Sequence, residues 1–185
     1  MNSLLRFVQR LLLWVGIAAL AYAGSAAAYA GIFQRYQSWK FERASGSAAE
    51  ENPLRERDLI GKLVIPRIGI SVMVLQGVAE GTLIVGAGHV PGTPLPETEG
   101  NVVLAAHRDT FFRKLEEILP GDNIQVETVF RTYQYIVDFT EIVDPEDTRV
   151  MESRARSELT LITCYPFFFI GAAPKRFVVH ALPLW

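Results

Sequence analysis

The chain has a single cysteine, Cys164, and that scarcity excludes an intrachain disulfide framework. No CxxC or HExxH spacing occurs, so neither a structural nor a catalytic metal site is suggested. An excess of one charge sign is also missing: 18 Lys and Arg stand against 20 Asp and Glu, a formal net charge of −2. That balance leaves no basic footprint for nucleic acid. No long internal repeat is apparent, and 185 residues accommodate one domain plus an appendage.

Apolar sequence, by contrast, is concentrated at the amino end. Leu11 to Phe33 carries no charged residue. At about 1.5 Å per residue this run spans roughly 34 Å as a helix, enough to cross a bilayer core with some tilt. Trp14, Tyr22 and Tyr29 supply amphipathic rings, and Arg6 and Arg10 precede the run. The small residues Ala26 to Ala30 also suit a signal-peptide cleavage site, but the apolar run exceeds a usual signal core and favours a retained anchor. Arg35, Lys40 and Arg43 follow it closely, so the positive-inside rule is nearly tied. The shortness of segment 1–10 places that end inside. The resulting division is a cytoplasmic N-terminus (1–10), a transmembrane helix (11–33), a juxtamembrane segment with a linker (34–57) and a folded domain (58–185). Tyr36–Glu42 can extend the helix, while Ala44–Pro53 is small and polar, as flexible linkers are.

From Leu59 onward, short β-prone runs are separated by Gly and Pro, which predicts an all-β barrel or sandwich. Strands are predicted at Leu59–Ile65, Ile70–Leu75, Asn101–Ala106, Ile124–Phe130 and Thr132–Val143. Gly86–Glu99 reads as a loop. Thr110–Leu119 reads as one amphipathic helix with Phe111, Leu115 and Ile118 inward, ended by Pro120-Gly121. Pro145–Ser157 reads as a turn with a short helix.

The final part of the chain holds the chemistry. Thr160-Leu161-Ile162-Thr163-Cys164 is a β-prone run that stops at Tyr165-Pro166, because proline lacks the N–H a central strand needs. Cys164 therefore sits at a strand end, held yet reachable. A second strand, Lys175–Leu182, follows the loop; a hairpin centred near Phe169-Ile170 sets Arg176 opposite Cys164. Nearby positive charge favours a thiolate. On composition alone two readings of Cys164 stay open, a nucleophile and a buried small hydrophobe.

Three histidines are available. His107 ends the run Val102–Ala106, so it too is a titratable group presented at a strand end; Asp109 behind it reads as a helix cap. His89 lies in the glycine-rich loop and either lines a site or bonds the loop backbone. His180 is four residues past Arg176 on one strand, roughly 13 Å away on the same face, and reads as structural.

Thr160-Leu161-Ile162-Thr163-Cys164 resembles the TLxTC signature of sortases. Ala105-Ala106-His107-Arg108-Asp109-Thr110, Cys164-Tyr165-Pro166-Phe167 and Ala173-Pro174-Lys175-Arg176-Phe177 are most similar to the class D members. The departures are small: Ala106 stands where glycine is commoner before the histidine, and Phe167-Phe168-Phe169 makes the loop after Cys164 unusually aromatic. The resemblance implies a closed eight-stranded sortase-type β-barrel with one or two short helices, behind one transmembrane helix. It also implies a Cys164, His107, Arg176 site that cleaves an LPxTG-like signal after Thr through a thioacyl-enzyme. An amine, on a cell-wall precursor or a pilin lysine, then takes the acyl group from surface proteins, outside the cytoplasmic membrane. That scheme requires no metal or organic cofactor. Thr163, His89, Tyr165 and Phe167 stand as further substrate-binding candidates. The rival readings are a cysteine peptidase that releases to water and a non-catalytic anchored β-domain that binds proteins.

Overall fold

The computed structural model describes residues 2–44, 54–96, 98–152 and 157–184. A helix, α1 (Asn2–Ala44), is followed by eight strands: β1 (Leu59–Ile65), β2 (Ile70–Gln76), β3 (Ala87–His89), β4 (Asn101–Ala105), β5 (Asn123–Thr128), β6 (Thr132–Val143), β7 (Glu158–Tyr165) and β8 (Lys175–Pro183). A short helix, α2 (Glu80–Leu83), joins β2 to β3, and two 3-10 turns lie at Arg113–Glu117 and Thr148–Met151. The strands close into a barrel in the order β1-β2-β3-β4-β7-β8-β6-β5. Closure leaves no unpaired sheet edge along the barrel.

Alternation along each strand separates an inner from an outer face. Leu63 and Ile65 of β1, Val72 and Val74 of β2, Leu159 and Leu161 of β7, and Val179 and Ala181 of β8 point inward into one core. Burying a Leu, Ile or Val side chain contributes about 1.5–3 kcal/mol, so this face holds the barrel together. A second, small cluster lies outside it, where Val178 of β8 packs with Val143 and Val150 and against Met151 and Ile162.

Three elements differ from the sequence prediction. The predicted helix over Thr110–Leu119 shrinks to the 3-10 turn Arg113–Glu117. The buried residues are Phe112, Leu115 and Ile118, a three-residue spacing that a 3-10 turn places on one side. β5 stops at Thr128 rather than Phe130, because Thr128 and Arg131 close a tight turn through Thr128 N–H to Arg131 O (2.9 Å). Within the predicted loop Gly86–Glu99, Ala87–His89 forms β3, parallel to β2.

Arg67, in the β1–β2 turn, secures the far end of the connection that carries His107. Its Nη2 donates to Asp122 Oδ2 (2.6 Å) and to Glu117 O (2.5 Å). That guanidinium holds the Asp122 carboxyl below the usual carboxylate range.

α1 has 43 residues, and its Arg6–Trp39 portion is long and apolar enough to cross a membrane. Its later turns also touch the barrel. The parallel β2–β3 ladder ends at Val74↔Ala87, which leaves the Met73 N–H and the Val85 carbonyl beyond the last rung. The Gln34 side chain bridges them: its Oε1 accepts from Met73 N–H (2.9 Å) and its Nε2 donates to Val85 O. Ser38 Oγ lies 3.3 Å from Met73 Sδ. Met73 is thereby fully buried on the outer face. Glycine is required beside this joint, since a Cβ on Gly86 would lie 2.7 Å from Met73 O. The linker predicted after Ala44 falls on residues 45–53, outside the described residues. In the detergent-solubilised full chain, Gln34→Leu strands two polar groups and should cost about 1–3 kcal/mol, read as a lower barrel melting midpoint. An unchanged midpoint would show that the helix does not dock.

Candidate active site

Strand register, rather than proximity in sequence, assembles the site. β4 and β7 run parallel, with Ala105 beside Ile162. Extending that register by two residues brings His107 alongside Cys164. Two bonds hold the extension: Ala106 N–H to Ile162 O (3.3 Å) and Thr163 Oγ1 to Ala106 O (2.8 Å). On the other side β8 runs antiparallel to β7, and Cys164 pairs with Arg176. Neighbouring strands lie about 4.8 Å apart, so Cys164 is flanked by a histidine backbone on one side and an arginine backbone on the other.

Cys164, Arg176 and His107 line one cleft of about 350 Å³, with Arg108, Asp109, Gly171, Ala172 and Ala173. Cys164 is half-buried and unpaired, which removes it from the core. Parity explains its position: Leu159, Leu161, Phe177 and Val179 face the barrel interior or pack on it, so Cys164 and Arg176 face outward. The Arg176 guanidinium is steadied by the carbonyls of Lys175 (3.1 Å) and Ala173 (3.4 Å). In a cleft lined by these groups a thiol can attack a carbonyl carbon, an imidazole can exchange a proton with a leaving amine, and a guanidinium can stabilise an oxyanion.

The other four candidates do not line this cleft. Thr163 is one strand residue from Cys164 and so faces the opposite way; it is buried, its hydroxyl donated to Ala106 O. Tyr165 shares that opposite parity, and its ring lies over Phe177 at 6.3 Å. Phe167 meets both rings edge-on, at 6.0 and 5.2 Å, and packs against the core. His89 is buried on β3 rather than in a loop. Its Nδ1 is 2.9 Å from Gln76 Oε1, and its Nε2 is 2.9 Å from Pro94 O and 3.1 Å from Thr93 Oγ1. It therefore ties the following loop to the barrel. Asp109 caps nothing at the 3-10 turn, which has Phe112 at its N-cap and no side-chain cap bond; it is exposed at the cleft instead.

His180 is structural, as predicted from its distance. It is buried on the outer face, with Nδ1 2.7 Å from Glu158 Oε1 and Nε2 2.9 Å from Glu141 Oε1. The Phe139 ring stacks on it at 4.5 Å. Sequence reasoning missed Arg108, whose guanidinium reaches the loop after Cys164. Its one signal was its place directly after His107.

The closed eight-stranded barrel defines the fold class of this chain. The sortase domain model matches residues 63–184, and the chain belongs to the sortase family. It is 36% identical to Sortase D of Bacillus subtilis (strain 168) over 121 residues, 65% of this chain and 61% of that protein. Against Sortase A of Bacillus anthracis it is 29% identical over 130 residues, 68% and 60% of the two chains. The chain thus spans about three fifths of the length of these curated relatives. Among solved structures it resembles a Clostridium perfringens Sortase D5 transpeptidase with a TM-score of 0.70, at 23% identity, covering 84% of this chain and 98% of that one. A lid mutant of Sortase A from Corynebacterium diphtheriae gives 0.65 at 30% identity, over 71% and 73% of the two chains.

The two outward histidine settings make a direct contrast. His180→Ala removes hydrogen bonds to Glu158 and Glu141 and should cost about 1–3 kcal/mol of stability while leaving the alkylation rate of Cys164 unchanged. His107→Ala should do the reverse. A slowed thiol in His180→Ala would contradict this division.

Proposed function

We propose that this chain is a membrane-anchored cysteine transpeptidase acting on proteins that carry an LPxTG-like sorting signal. The observation that carries this reading is the placement of Cys164 between His107 and Arg176 at the joined ends of β4, β7 and β8. The Cys164 thiolate attacks the carbonyl carbon of the signal's Thr, and Arg176 donates to the oxygen as it gains charge. His107 gives its proton to the departing amine as the C–N bond breaks, leaving a thioacyl-enzyme. An incoming amine, from a cell-wall precursor or a pilin lysine, loses its proton to His107, attacks the thioester and releases the Cys164 thiolate. The apolar stretch within α1 anchors the enzyme, with the N-terminus inside and the barrel on the outer side of the cytoplasmic membrane. In this scheme residues 11–33 span the bilayer and residues 58–185 are the catalytic domain.

The test is product partition by the full chain in detergent, given an LPxTG-type peptide with and without added amine. Amide should replace acid as amine rises, and Cys164→Ala should form neither. Arg176→Lys should lose about a hundredfold in turnover, because a point charge does not reproduce the guanidinium fork. Acid product regardless of amine would mark a hydrolytic cysteine peptidase, and near-normal turnover of Arg176→Lys would remove Arg176 from the chemistry.

A further inference from the structure

The loop between β7 and β8 forms one wall of the cleft through Gly171, Ala172 and Ala173. No regular ladder holds its middle, and its tip is solvent-facing: Phe168, Phe169 and Ile170 are 70%, 45% and 101% exposed. Gly171 takes a positive φ of 101°, where a side chain would be strained. Something other than core packing must therefore set where this wall stands.

Arg108 does that. It follows His107, whose backbone is fixed by the β4–β7 register, so its guanidinium is presented from the rigid side of the cleft. Nη1 donates to Pro166 O (3.0 Å), and Nη2 donates to Phe169 O (2.8 Å) and Gly171 O (3.1 Å). These three carbonyls span the loop from its start to the cleft wall. The Arg108 guanidinium also sits 5.8 Å from the Phe169 ring centroid, and that of Arg113 lies 5.1 Å from the Phe168 ring centroid. A planar fork with several divergent N–H groups can meet three carbonyls at once; an ammonium presents its donors from a single point.

We infer that Arg108 is a positioning residue for substrate, holding the β7–β8 loop in the shape that lets a peptide signal lie beside Cys164. This rests on the acyl-transfer reading above. The small residues Gly171, Ala172 and Ala173 give a wall with no charge and little bulk. Such a wall suits the backbone of an extended peptide rather than a large side chain. Arg108 therefore acts on how well the signal is held, and His107, Cys164 and Arg176 act on the bond that breaks.

The experiment compares Arg108→Gln and Arg108→Lys with the full chain in detergent. Hydrogen exchange of the 169–173 amides should quicken about tenfold in Arg108→Gln, while the β7 and β8 amides stay as protected as before. With an LPxTG-type peptide, KM should rise about tenfold and kcat fall less than threefold, and Arg108→Lys should recover only a minor part. Unchanged exchange overturns the clamp, and an unchanged KM, or a loss confined to kcat, overturns the substrate role. If the wild-type chain turns over no such peptide, the acyl-transfer reading fails by itself. The cleft is then read by iodoacetamide alkylation of Cys164, where a severalfold change in Arg108→Gln supports the clamp and no change overturns it.

Discussion

The pairing of β7 with a parallel neighbour on one side and an antiparallel neighbour on the other is the constraint everything else depends on. Parallel pairing with β4 lets two strands end together, so His107 and Cys164 leave the barrel at one rim. Antiparallel pairing with β8 starts the next strand at that rim and supplies Arg176 opposite Cys164. No residue of the trio touches another in sequence. A slip of one residue in either ladder would turn Cys164 toward the interior or replace its partner, because side chains alternate with period two. The inner face is what forbids that slip: Leu159, Leu161, Val179 and Ala181 are fully buried, and a shifted register would expose them.

The two faces of the same strands thus divide the labour between stability and chemistry. Inward residues of β7 and β8 build the core, while the outward row carries Cys164, the Ile162–Val178 contact and the Thr160–His180 pair. The buried His180 bonds the buried Glu158 and, from β6, the partly exposed Glu141 on that outward face. Thr163 connects the two roles. It points inward, yet its hydroxyl secures the carbonyl of Ala106 and so the approach of His107 to Cys164.

Much of this was legible in the residues. Proline after Tyr165 marked the end of β7, and counting back through the loop set Arg176 against Cys164, as observed. The strand-end position of His107 was visible for the same kind of reason. The same period-two rule, applied to Thr163 and Tyr165, would have turned both away from the Cys164 face. Other features were not local and left no local trace. β3 forms within a Gly- and Pro-rich stretch because β2 is there to pair with it. The helix predicted after His107 tightens into a 3-10 turn because Phe112, Leu115 and Ile118 fill the same core at three-residue spacing. Arg108 meets carbonyls more than fifty positions away, a contact that exists only once the barrel has closed. The bridge from Gln34 to Met73 and Val85 is of the same kind.

The central claim is that Cys164 becomes acylated by peptide at this rim. Intact mass of the full chain in detergent, quenched in acid after brief mixing with an LPxTG-type peptide, reads that directly. The expected result is an added mass equal to the peptide up to its Thr less one water, located on Cys164 by fragmentation and discharged when an amine is supplied. A peptide that is cleaved with no adduct on Cys164, or with an adduct that amine does not discharge, would contradict it.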